Sequence, residues 1–83
     1  MSFPVAVEAK FETDGSIRPL AFVWEDELIR ITSLGRQWEQ DGEVHFLVMS
    51  LDERVYELAY RPAEGLWVLY PRPQDLGGKR LFV

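Results

Sequence analysis

The sequence predicts an all-β chain: a single small antiparallel meander of six strands, curled into a strongly bent sheet or a small barrel of the SH3-like kind. Three observations lead there. Apolar and polar residues alternate with period two over short runs, the pattern of strands that bury one face. Asp-Gly pairs at Asp14-Gly15 and Asp41-Gly42 sit between such runs, where hairpins need residues that tolerate positive φ. Helical periodicity is hard to place anywhere in the chain.

Val5 to Phe11 sets Val5, Val7, Ala9 and Phe11 against Ala6, Glu8 and Lys10, and reads as the first strand. Thr13 to Ser16 turns the chain into a second strand, Ile17 to Trp24, whose Pro19 lacks an N–H and so points to an edge or irregular position. After the acidic turn Glu25-Asp26-Glu27, Leu28 to Leu34 forms the third strand. Gly35 interrupts it with Trp38 beyond, which predicts a bulge or bend that redirects the chain. Val44 to Leu51 follows the second Asp-Gly turn and is apolar on both faces. Asp52-Glu53 and Pro62 to Gly65 then frame the last two strands, Arg54 to Tyr60 and Leu66 to Tyr70. Pro71 and Pro73 end regular pairing, so the domain is expected over residues 1–73 and a C-terminal tail over 74–83.

With 83 residues there is room for one core, and 47% apolar residues with three tryptophans supply it without metal or disulfide. The chain has no cysteine, which removes thiolate zinc sites and cysteine nucleophiles from consideration. The start Met1-Ser2-Phe3-Pro4 lacks the features of a secretion signal, and no apolar stretch nears the roughly 20 residues that span a bilayer. The expectation is a cytoplasmic protein with no membrane contact. Nine basic residues against fourteen acidic ones, a net charge of −5, make nucleic-acid binding by the isolated chain an unfavoured expectation.

The order Asp14-Gly15, Phe22-Val23-Trp24, Ile29 to Ile31, Trp38, Val55-Tyr56-Glu57-Leu58 and Gly65 to Tyr70 resembles an uncharacterised family of small bacterial all-β domains. Members of that family occur alone or appended to Y-family translesion DNA polymerases. The resemblance spans most of Val7 to Tyr70 and implies a fold and an association with DNA repair; it carries over no catalytic or ligand residue. Gln40 to Glu43 is acidic here where the family is more basic and aromatic, which turns the expectation away from direct contact with DNA.

The inventory for chemistry is thin. His45 is the sole histidine, so any histidine-dependent scheme rests on it; a rim or satisfied half-buried histidine is the plainer reading. Asp41, Glu43 and His45 are the one local group with metal-ligand character, and the acids more simply solvate a hairpin. Gly77-Gly78-Lys79 lacks both the spacing and the following helix of a phosphate loop. Glu57, between Val55 and Ala59 on an apolar face, calls for a partner such as Arg30 or Arg72. No catalytic, metal or cofactor residues are assigned, and no cofactor is expected.

Strand parity places Leu47, Met49, Tyr56, Leu58, Tyr60, Trp67 and Leu69 inside. The alternate set, Phe46, Val48, Val55, Ala59, Val68 and Tyr70, then points outward, and Phe46, Val48, Val55, Val68 and Tyr70 form an expected protein interface. Alternatively, Leu81-Phe82-Val83 folds back over that face. Trp38 either caps one barrel end or lines a recognition surface with Arg36 and Arg72. The functional expectation is a non-catalytic interaction module, homo-oligomeric or bound to a protein partner; the alternative is an accessory nucleic-acid-binding module linked to DNA repair.

Overall fold

In a computed structural model the described residues are 1–71, and they form seven strands and no helix. These are β1 (Phe3–Pro4), β2 (Val7–Phe11), β3 (Ile17–Trp24), β4 (Glu27–Gln40), β5 (Glu43–Ser50), β6 (Val55–Arg61) and β7 (Leu66–Tyr70). Every pairing is antiparallel, and the strand order is β1-β7-β6-β5-β4-β3-β2. No helix among these residues is long and apolar enough to cross a membrane. The all-β, strongly curled sheet expected from the alternating runs is what the chain forms.

The two edge strands are neighbours in sequence, and that is how the sheet curls. Phe3 and Pro4 pair with Leu69 and Val68, and the Val5 N–H donates to the Trp67 carbonyl at 3.1 Å. One residue later, the Ala6 carbonyl accepts from the Val23 N–H at 3.0 Å, and β2 continues along β3. Residues 3–11 thus run from one edge of the sheet to the other. β1 was not expected as a separate strand, because two residues carry no periodicity and one of them is a proline, tolerated only at such an edge.

Gly35 does redirect its strand without ending it. The expected third strand and the stretch around Trp38 are one ladder, β4, with register shifts between Ile31 and Ser33 and between Leu34 and Gln37. Its first residues pair with β3 and the remainder with β5, so β4 passes from one half of the sheet to the other. Bulges of this kind add local twist and permit the bend. The Asp41-Gly42 turn has φ of 53° and 79° and joins Gln40 directly to Glu43, which sets the β4–β5 register.

The core consists of Phe22, Phe46, Val48, Tyr56, Leu58, Trp67 and Leu69, with the rings of Phe22 and Tyr56 edge-on at 5.0 Å. Here the expected faces of β5 are reversed. Phe46 and Val48, expected outside, are 1% exposed and lie in the core, whereas Leu47 and Met49, expected inside, are half-exposed on the other face. The register gives the reason: Phe46 pairs with Leu58 and Val48 with Tyr56, so all four share the inner face. Because β5 is apolar on both sides, its own sequence carries no parity, and a one-residue slip exchanges the two faces. On β6 and β7 the expected interior residues Tyr56, Leu58, Trp67 and Leu69 are buried as read.

Candidate interaction surface

The outer face of β4 to β7 is assembled from rows that the register defines. One row runs Trp38, His45, Ala59, Val68 and Pro4 across five strands. The next sets Leu47, Glu57 and Tyr70 side by side, and a third sets Ser33, Met49 and Val55. Gly35 lies against Leu47, whose carbonyl oxygen would sit 3.4 Å from a Cβ placed there. The face therefore has an aromatic and ionic end around His45 and an apolar end around Leu47 and Met49.

His45 is the centre of the first end. Its ring lies between Trp38, at 5.1 Å and 12° between planes, and Tyr70, at 5.4 Å and 24°. Nε2 faces the Glu43 carboxylate at 3.3 Å and Nδ1 faces Glu57 at 3.2 Å. A ring protonated on both nitrogens donates to both carboxylates; a neutral ring donates to one. The carboxylates approach opposite ring nitrogens and do not converge, and no three His, Asp or Glu side chains among the described residues are placed to hold a metal ion.

Tyr70 stands in the row beyond His45, yet its hydroxyl donates to Glu43 Oε1 at 2.7 Å. The side chain must therefore lie diagonally across β6, over the row that contains Ala59, which is fully buried. Glu43 also accepts from Arg61 Nε, whose guanidinium contacts Ser2 Oγ at 3.4 Å and Glu64 at 3.8 Å. Burial pushes the Glu43 carboxyl up, but hydrogen bonds from Tyr70 and Arg61 outweigh it and hold the group below the usual carboxylate range. Burial, and then the hydrogen bond to Glu43, push the Tyr70 hydroxyl up. The hydrogen bonds with Tyr70 and Glu43 raise Arg61 in turn.

Of the residues singled out in the sequence, the structure brings Arg36, Trp38 and Tyr70 together. The Arg36 guanidinium carbon lies 5.0 Å from the centre of the Trp38 ring system, which stacks on His45 and through it meets Tyr70. Val55 and Val68 are on the expected outer face, Val55 half-buried and Val68 buried to 1% exposure, so Val68 supports the surface from beneath. Phe46 and Val48 are on the opposite face and belong to the core. Arg72, the tail over 74–83, Gly77-Gly78-Lys79 and Leu81-Phe82-Val83 lie outside the described residues.

Glu57 meets His45 and makes no ion pair with Arg30; Arg72, the other expected partner, lies outside the described residues. Strand parity alone puts Leu47 and Met49 inside and does not join Glu43, His45 and Arg61. A usable signal was present: counting outward from the two-residue Asp41-Gly42 turn pairs Gln40 with Glu43 and Trp38 with His45. Comparison of the chain with protein-family models, with curated proteins and with solved structures finds no match.

Proposed function

We propose that this domain is a non-catalytic interaction module that binds protein, in the first instance a second copy of itself, through the outer face of β4 to β7. The observation that supports it most is that Leu47 and Met49, apolar residues the core does not use, sit in consecutive rows next to Trp38, Arg36 and Tyr70. Aromatic residues, Met and Arg are enriched at protein interfaces and Lys is depleted, and residues 27–70 contain no lysine. The test is size exclusion with light scattering over a wide concentration range. Association is expected for the full chain and is expected to disappear when Leu47→Asp and Met49→Asp are combined, with the circular dichroism spectrum retained. A chain that stays monomeric up to about millimolar concentration, where even weak pairs associate, removes the reading.

One observation favours the accessory nucleic-acid reading: the Arg36–Trp38 pair beside Tyr70 offers stacking and a positive charge. Glu43 and Glu57, which both contact the His45 ring stacked on Trp38, oppose phosphate there. Fluorescence anisotropy with a labelled single-stranded oligonucleotide at low and moderate salt is expected to show little binding; tight, salt-sensitive binding reverses the order of the two readings.

A further inference from the structure

β4 has fourteen residues, but β3 pairs with only Glu27 to Arg30 of them. From Ile31 to Gln40 the strand has a single hydrogen-bonded neighbour, β5, among the described residues. Among the described residues β3 is likewise unpaired on its β4 side over residues 17–20. The two strands have parted, and between them lies a cleft of about 350 Å³ lined by Arg18, Pro19, Leu20, Ile31, Ser33 and Leu34. Leu20 and Leu34, one on each wall, are 39% and 43% exposed.

An edge that no described strand pairs specifies its occupant more closely than an apolar face does, because alternate residues aim N–H and C=O groups outward and an extended backbone matches that row. The charge around the cleft narrows the choice further. Lys10 and Arg18 are directly opposite each other on β2 and β3, a like-charged cross-strand pair that ordinarily destabilises a sheet, and neither forms an ion pair among the described residues. Arg18 is the one charged residue among the described residues that line the cleft, in a chain of net charge −5.

We infer that the cleft between β3 and β4 receives an extended acidic segment of a partner protein, which adds as a strand along Ile31 to Gln40. Its backbone bonds to the edge of β4, an apolar side chain enters between Leu20 and Leu34, and a carboxylate meets Lys10 and Arg18. A second copy of this chain fits less well. Its own β4 carries the same two register shifts, so the two bulged edges would have to match, whereas a flexible peptide can follow one bulged edge. This surface is separate from the Leu47 and Met49 face and does not depend on it.

The probe is a capped, fluorescein-labelled peptide with Val, Thr and Ile at its centre and Glu and Asp at both ends, titrated with the full chain and read by anisotropy. Saturable binding is expected. It should weaken by about tenfold or more when alternate peptide amides are N-methylated, which removes strand pairing and leaves the charge. A similar loss is expected in the protein when Lys10→Glu and Arg18→Glu are combined, both exposed changes that spare the core. Binding should survive Leu47→Asp with Met49→Asp, which separates this site from the outer face. No saturation at millimolar protein, equal binding of the N-methylated peptide, or preference for a Lys-ended peptide each overturns the proposal. So does a concentration-dependent dimer that competes with the peptide, since the edge would then belong to a second copy.

Discussion

The strands β5 to β7 and the strand β4 are neighbours in one sheet, yet they are built on opposite principles. In β5 to β7 both faces are used: Phe46, Val48, Tyr56, Leu58, Trp67 and Leu69 fill the core, while His45, Ala59 and Val68 are buried on the other side. β4 is the longest strand and buries no residue completely; Ile29, Ile31 and Trp38 are half-buried and the rest are exposed. The contrast separates two jobs. Stability resides in the three strands packed on both faces, and the strand with little to lose by facing solvent carries the bend, an edge left unpaired among the described residues and the Arg36–Trp38 pair.

The largest expected effect tests that division directly. Phe46→Ala should cost about 3–5 kcal/mol, the range for truncating a buried aromatic, and leave a domain of this size close to unfolding. Leu34→Ala on β4 should change stability by no more than about 0.5 kcal/mol, as surface substitutions do. Urea denaturation of the two variants measures both. Comparable losses from the two would mean that β4 is part of the core and that the division is wrong.

A smaller effect probes the ionic end of the outer face. Tyr70→Phe removes the hydroxyl that Glu43 accepts from and should cost about 1 kcal/mol at neutral pH. It should also alter the acid limb of stability. The Glu43 carboxyl is held below its ordinary value of 4.5 in the folded chain, so its contribution is complete above that pH and is lost as pH falls through the lower folded value. Asp14 and Asp52, both lowered by hydrogen bonds from serines, act in the same direction. Removing the Tyr70 hydroxyl should therefore make the loss below pH 4.5 shallower without abolishing it. An acid limb identical in the two proteins would show that the Tyr70–Glu43 bond is not maintained in solution.

What could be read in advance follows the same division. The alternation of Tyr56, Leu58 and Tyr60 and of Trp67 and Leu69 is a property of single strands, and so is the punctuation at Asp14-Gly15, Asp41-Gly42 and Gly35; the all-β curl follows from these. The faces of β5 were not legible because Phe46, Leu47, Val48 and Met49 are all apolar and only the partner strand decides among them. Of the cluster around His45, only the pairing with Trp38 was legible, by counting outward from the Asp41-Gly42 turn. Glu43, Glu57, Arg61 and Tyr70 are drawn from three strands and meet through cross-strand register and one diagonal side chain, none of which is a pattern along the chain.

The smallest expected effect comes from two turns that share one design. In the β2–β3 loop the Glu12 N–H donates to the Ser16 carbonyl and the Gly15 N–H to the Glu12 carbonyl; in the β5–β6 loop Ser50 and Arg54, then Glu53 and Ser50, repeat the same two bonds. Each loop has an aspartate at its third position tied to a serine at one end, Asp14 to Ser16 and Asp52 to Ser50. The fourth position needs positive φ in both, and there the loops differ: glycine at Gly15, with φ of 92°, and glutamate at Glu53, with φ of 64°. A Cβ in the left-handed region costs roughly 1–2 kcal/mol, of which glycine's greater freedom in the unfolded chain returns part. Glu53→Gly should accordingly stabilise the domain by about 0.5–1 kcal/mol. Gly15→Ala should destabilise it by a similar amount through backbone strain alone, since nothing lies within 4 Å of a Cβ built there. Thermal denaturation of both variants is the measurement. Shifts of opposite sign establish the two loops as one motif with a good and a poor residue at the same position; a Glu53→Gly variant that melts lower would show that the Glu53 side chain contributes more than its backbone conformation costs.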